Sequence, residues 1–230
     1  MLELNKIYNE DCFLTLEKMP NEFVNLVLTS PPYNNSYINA KDKYNRKYDF
    51  YKDKISDIQY KQWTVNLFNL FDKKIKENSV ILYNLSYSSE NPSLIWLIIS
   101  DIISNTNFTT ADLIIWKKRN AIPNNRSSNK LTRIIEPIFV FCRKNEIKTF
   151  NCNKKVKSIS RNGTLKNYEN IFNFIEAKNN DGCNSLNGAT FSVELCEKLL
   201  KIYASQNSII YDSFMGIGTT ALAAKKNGFN

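Results

Sequence analysis

Two short segments carry residue types that could do chemistry together. The first is Thr29-Ser30-Pro31-Pro32-Tyr33. Successive prolines fix the backbone and donate no hydrogen bonds, so the carbonyls around them remain as acceptors. Ser30 adds a hydroxyl acceptor, and Tyr33 adds a flat aromatic face. Acceptors beside a ring suit a planar group bearing NH₂, such as a nucleobase swung out of a duplex. A rigid surface turn with a core-packing tyrosine has the same composition, so this segment alone leaves both readings open.

The second segment is Asp212-Ser213-Phe214-Met215-Gly216-Ile217-Gly218-Thr219-Thr220. Gly216 and Gly218 clear side chains from a place where a ligand could approach the backbone. A helix starting near Gly218 would turn free N–H groups toward an anion, here a carboxylate. Asp212 could pair with an ammonium group. A ligand with both charges at one end is an amino acid or the methionine part of S-adenosylmethionine. No Gly-Lys-Ser/Thr follows, which excludes a phosphate-cradling loop of that type. A bare tight strand–helix turn would also contain this Gly-x-Gly.

These segments need strands and helices to bring them together. Residues 24 to 29 (VNLVLT) read as a buried strand entering the Pro-Pro turn. Further strands are read at 79 to 85, 111 to 116, 134 to 142 and 208 to 211. Pro137 within the fourth argues for an edge or a bulge. Helical spacing is read at 59 to 76, 92 to 104, 191 to 204 and 217 to 226. Residues 34 to 58 read as a loop, and 144 to 188 as polar, basic and aperiodic. Strands alternating with helices indicate a doubly wound α/β sheet, whose ligands sit at the carboxyl ends of the strands.

The chain's 230 residues suit one domain. It has no histidine, so histidine triads, imidazole shuttles and histidine metal ligands are excluded. Its five cysteines are scattered without a CxxC pair, which argues against a disulfide framework and against a zinc site. No metal is expected. The N-terminus has no signal-peptide pattern and no apolar run approaches membrane-spanning length, so the expected compartment is cytoplasmic. The net charge of +9 is concentrated: residues 117 to 166 hold fourteen Lys or Arg against two Glu, an excess of +12. A one-signed stretch suits phosphate neutralisation, with Lys117, Lys118, Arg119, Arg126, Lys130 and Arg133 as candidate DNA contacts. A solvated basic face is the plainer alternative.

Residues 29 to 34 (TSPPYN) resemble the catalytic motif [D/N/S]-P-P-[Y/F/W] of amino-methyltransferases acting on DNA. Residues 212 to 220 resemble the D-P-F-x-G-x-G-T-T cofactor motif of the same family. Asn9-Glu10-Asp11-Cys12 with Leu16, residues 114 to 118, residues 133 to 141 and residues 191 to 195 resemble further family blocks. The catalytic motif precedes the cofactor motif, as in the circularly permuted beta class. The resemblance implies a Rossmann-like, mostly parallel methyltransferase sheet and S-adenosylmethionine as cofactor. The base amino nitrogen of duplex DNA would attack the sulfonium methyl in line. Ser30 and the Pro31 carbonyl would accept the amino hydrogens, Pro32 would stiffen the turn, and Tyr33 would stack on the extruded base. Asp11, Asp212, Phe214, Gly216, Gly218 and Thr219 would hold the cofactor.

Serine at position 30 favours cytosine N4 within this family, with adenine N6 the alternative. Expected partners are a cognate endonuclease, a second copy or a complementing C-terminal fragment. Residues 144 to 188 would form a small target-recognition insertion. Ser213 and Ser192 replace the family's usual prolines and are expected to loosen the backbone there. The family continues past Gly228-Phe229 into a strand whose acidic end binds the cofactor ribose, whereas this sequence stops at Asn230. A missing C-terminal strand is therefore expected, with a non-catalytic fragment or half of a split enzyme as a further reading.

Overall fold

The computed structural model describes residues 2–34, 55–86, 91–121, 128–182 and 191–230. Its elements run α1 (Cys12–Lys18), β1 (Val24–Thr29), α2 (Asp57–Lys74), β2 (Ile75–Asn84), α3 (Leu94–Asn105), β3 (Phe108–Lys118) and β4 (Ile135–Arg143). They continue with β5 (Val156–Ile159), β6 (Lys166–Tyr168), β7 (Phe174–Ala177), α4 (Val193–Tyr203), β8 (Ile210–Tyr211) and α5 (Thr219–Lys226). Six strands form one sheet in the order β7-β3-β4-β2-β1-β8, and β5 and β6 form a separate hairpin. β4 is antiparallel to both its neighbours, while the other pairs are parallel. The sheet is therefore mostly parallel, with one reversed strand.

Period-two alternation sorts side chains onto two faces. Val27, Ile81, Tyr83, Phe139 and Phe141 point into one core with α1, α2 and α3. Leu26, Leu28, Val80, Leu82, Ile138 and Val140 point into a second core with α4 and α5. Covering on both faces makes the sheet doubly wound. Phe68 of α2 anchors the first core, meeting Phe71, Tyr83, Phe108 and Phe141 edge-on at centroid distances of 5.0 to 5.6 Å. Such pairs add about 0.5–1.5 kcal/mol each beyond burial.

Local signals set the helix starts. Ser56 and Gln59 form a reciprocal capping box on α2. Ser192 caps α4, accepting from Leu195 N at 3.3 Å and donating to the Lys178 carbonyl at 2.9 Å. It therefore tightens the backbone where loosening is expected from the sequence. Among the described residues, no helix is long and apolar enough to cross a membrane.

Three sequence expectations need correction. β4 is a central strand, although Pro137 argues for an edge or bulge. Pro137 lies one residue beyond the last β2–β4 pair, Asn84–Ile138, and its carbonyl accepts from Asn84 Nδ2 at 3.1 Å. Within a strand a residue's N and carbonyl share a side, so the missing donor falls where β2 has already ended. Second, the stretch read as aperiodic contains regular strands: Val156–Ile159 pairs with Lys166–Tyr168, and Phe174–Ala177 joins the main sheet parallel to β3. Third, α1 is missing from the sequence reading. It spans only seven residues and buries only Thr15 and Leu16, too little for a periodic signal.

Candidate active site

β1 and β8 lie side by side in parallel. The chain leaves β1 for α2 on one face and leaves β8 for α5 on the other. Adjacent strands with crossovers departing to opposite faces open a crevice at their carboxyl ends. Both motif segments emerge there and are joined at the root. Thr29, the fully buried last residue of β1, donates its hydroxyl to Asp212 Oδ1 at 2.7 Å.

The Ser30–Tyr33 turn is held by residues distant in sequence. The phenol of Tyr60, wholly buried in α2, donates to the Pro32 carbonyl. Tyr33 Oη donates to Asn84 Oδ1 at 3.0 Å and lies 3.0 Å from Ser30 Oγ. Pro31 and Pro32 are buried, while Ser30 and Tyr33 are half-buried. The Pro32 carbonyl is thus already engaged within the fold.

Apart from the bond from Thr29, the second turn is built from its own residues. Asp212 Oδ1 also accepts from Phe214 N at 3.0 Å, and Oδ2 accepts from the Thr220 hydroxyl at 2.6 Å. Burial pushes the Asp212 carboxyl above its ordinary range, although the donations from Thr220, Phe214 and Thr29 pull it down. Gly216 has φ +55° and Gly218 has φ +85°, both in the left-handed region. A Cβ on Gly218 would meet nothing within 4 Å, so backbone conformation rather than space demands glycine there. Gly218 is the N-cap of α5, and no side chain caps that helix. Thr219, its first residue, is buried.

Phe214 packs on Trp63 of α2 with centroids 5.7 Å apart, and Trp63 meets Phe13 of α1 at 6.0 Å. This places Phe214 against the first core. Asp11 caps α1, accepting from Phe13 N at 2.8 Å, and is exposed. Two cavities flank Asp212 and Met215. One, of about 150 Å³, is lined by the segment from Leu2 to Tyr8 together with Tyr211 and Ser213. The other, of about 560 Å³, is lined by Thr220, Ala221, Ala224 and Phe229. Burial raises the Cys12 thiol to about 12 and the Cys142 thiol to about 11, so neither is an anionic nucleophile near neutral pH. Among the described residues, no group of three or more Cys, Asp or Glu gathers as a metal site.

The basic segment divides between the two ends of the sheet. Lys117, Lys118 and Arg119 lie at the carboxyl end of β3, the same end as the crevice, and Lys130 and Arg133 follow in the β3–β4 connection. Arg126 lies outside the described residues. Lys117 pairs with Glu176 at 2.9 Å, Lys118 with Glu136 at 2.5 Å, and Arg119 with Glu194 at 2.5 Å. At the opposite end Arg143 is structural, bound to Asp72 Oδ1 at 2.6 Å, to Glu146 and to the Lys76, Ile75 and Asp72 carbonyls. The β5–β6 hairpin exposes Lys155, Lys157, Arg161 and Lys166. Its root is also at that opposite end, where Asn153 N donates to the Ile202 carbonyl near the end of α4. Sequence reasoning gives no role to Thr29, Tyr60, Asn84, Trp63 or Thr220, although Thr29 and Thr220 lie within the two motif segments.

Comparison with known proteins agrees with this geometry. A family model for N6/N4 methyltransferases, described as DNA methylase, matches residues 24–230. The type II methyltransferase M1.MboII of Moraxella bovis is 24% identical over all of this chain and 91% of its own length. M.BglII of Bacillus subtilis is 26% identical over 96% of this chain and 62% of its own length. The chain thus spans nine tenths of the first relative and under two thirds of the second. The structure of the cytosine-N4-specific PvuII DNA methyltransferase superposes with a TM-score of 0.68 at 16% identity, over 97% of this chain and 78% of that one. A Thermus thermophilus protein complexed with S-adenosyl-L-methionine gives 0.61 at 17% identity, over 96% and 83%. At these identities the structural likenesses establish the fold. With residues 24–230 matched and both turns meeting in one crevice, the chain belongs to the DNA methylase family, as an amino-methyltransferase of the N6/N4 type.

Proposed function

We propose that the chain methylates the N4 amino group of cytosine in duplex DNA, using S-adenosylmethionine, as the modification partner of a restriction endonuclease. The observation that carries this reading is that the Ser30–Tyr33 turn, with Ser30 Oγ 3.0 Å from Tyr33 Oη, lies across one hydrogen bond, Thr29 to Asp212, from the glycine turn. The residues fit the cofactor: Gly216 and Gly218 bare the backbone, the uncapped α5 N-terminus suits its carboxylate, and Asp212 suits its ammonium. When bound, S-adenosylmethionine supplies an electrophilic methyl group. Ser30 Oγ and the Pro31 carbonyl accept the two amino hydrogens, which concentrates the nitrogen lone pair for attack. Tyr33 holds the base in plane, and the surplus proton leaves through the same acceptors to solvent. Serine at position 30, rather than aspartate, supports cytosine over adenine.

The DNA would approach the carboxyl ends of the strands, where Lys117, Lys118, Arg119, Lys130 and Arg133 are placed. Exposed ion pairs are worth only about 0–1 kcal/mol, so Lys117 and Arg119 can exchange glutamate for phosphate at small cost. The type II names of the curated relatives support a restriction-modification role. The test is single-molecule sequencing of DNA from a host expressing the chain. N4-methylcytosine at a fixed sequence motif is expected. N6-methyladenine would overturn the choice of base, and no modified base on any DNA would overturn the function.

A further inference from the structure

A chain of hydrogen bonds runs from the middle of the sheet to the catalytic turn, and its polarity is forced. The Pro137 carbonyl can only accept, so the Asn84 amide must turn its NH₂ toward it, at 3.1 Å. That leaves Asn84 Oδ1, an obligate acceptor, facing Tyr33 Oη at 3.0 Å. The single phenolic proton of Tyr33 is therefore committed to Asn84. Its oxygen can then meet Ser30 Oγ, 3.0 Å away, only as an acceptor, and the Ser30 proton must point at Tyr33. Asn84 is 2% exposed, so water offers it no alternative partner.

We propose that Asn84 is a positioning residue that acts through Tyr33 to turn the Ser30 hydroxyl proton away from the crevice, presenting Ser30 Oγ as an acceptor. This rests on the reading that the turn receives the amino group of a base. A hydroxyl is both donor and acceptor, and an amino group needs it as an acceptor. A carboxylate at position 30 would be an acceptor in every orientation, but a serine must be set. The relay sets it, and the same bond anchors the outer edge of the Tyr33 ring.

The test is a double-mutant cycle on the full chain with Asn84→Ala, Tyr33→Phe and the pair, measuring single-turnover methylation and KM for DNA. Asn84→Leu, which fills the lost volume, repeats the cycle should the alanine variant melt early. A 2-aminopurine duplex reports base extrusion in each variant. Each single substitution is expected to lower the methylation rate about tenfold, the scale of one hydrogen bond. KM and the 2-aminopurine signal should hold within about threefold, and the double variant should be no slower than the slower single. Losses that multiply, or an Asn84→Ala rate equal to wild type, would overturn the relay. A wild-type chain that methylates no DNA would instead overturn the function on which the relay rests.

Discussion

The two turns of the crevice are stabilised in opposite ways. The 212–220 turn closes on itself: its first residue accepts from its third and its ninth, and two left-handed glycines make the bend. The 30–33 turn depends on Tyr60 and Asn84, which follow it by 28 and 51 positions. One is largely a local motif, with a single bond from Thr29 of β1, and the other is a local motif with more remote support. Substitutions in the first should act on the turn itself, whereas the second should be adjustable from a distance.

The largest expected effect tests the self-contained turn. Gly216→Val forces a β-branched residue to φ +55° in a ligand-approach position. S-adenosylmethionine affinity, measured by calorimetry, should fall more than about a hundredfold, equivalent to about 2.7 kcal/mol. An unchanged affinity would mean that the turn does not hold the cofactor.

Asp212→Asn should have an intermediate effect. Asparagine retains an acceptor for Phe214 and Thr29 and can donate to Thr220, so the turn should survive. Losing the charge should weaken cofactor binding by about ten- to a hundredfold, the scale of a hydrogen bond to a charged group. The stability effect has a definite sign. The folded pKa of Asp212 is raised, so the folded chain holds the proton more tightly than the unfolded chain does. That contribution is complete below the unfolded value, about 3.9, and is lost as pH rises through the folded value. The urea midpoint of the variant, relative to wild type, should therefore climb as pH rises above about 4. A constant offset would show that Asp212 is not strained by burial.

The smallest effect tests remote support. Tyr60→Phe keeps the ring stacked on Trp63, 5.7 Å away and 14° from parallel, and deletes the donor to Pro32. Removing a partner from a buried carbonyl costs about 1–3 kcal/mol. Methylation should slow about tenfold while cofactor affinity stays constant. Equal losses in both would make the two turns one mechanical unit, and the contrast between them would collapse.

The same contrast explains what was legible in the sequence. β1 is read at its observed bounds, and β2, β3, β4, β8 and α2 to α5 within a few residues, because buried strands and amphipathic helices have short periods. Both turns are marked by their prolines and glycines. Tyr60 and Asn84 are not marked, because each is an ordinary residue whose role exists only once α2 and β2 are packed. The charge count misled for a related reason. Arg143 adds to a basic total in the sequence, yet in the fold it is consumed by Asp72, Glu146 and three carbonyls. Within 144 to 188, no local sign shows that 174 to 177 pairs with β3, residues 108 to 118.

Asn230 pairs with the β8 edge beside the glycine turn. Asn230 N donates to the Ser208 carbonyl and Ile210 N donates to the Asn230 carbonyl, the pattern of a parallel bridge on the outer edge of β8. Asn5 Nδ2 reaches Asn230 Oδ1 at 3.4 Å. The bridge occupies the Ser208 carbonyl and the Ile210 N–H, two backbone groups that an open sheet edge would otherwise offer to another chain.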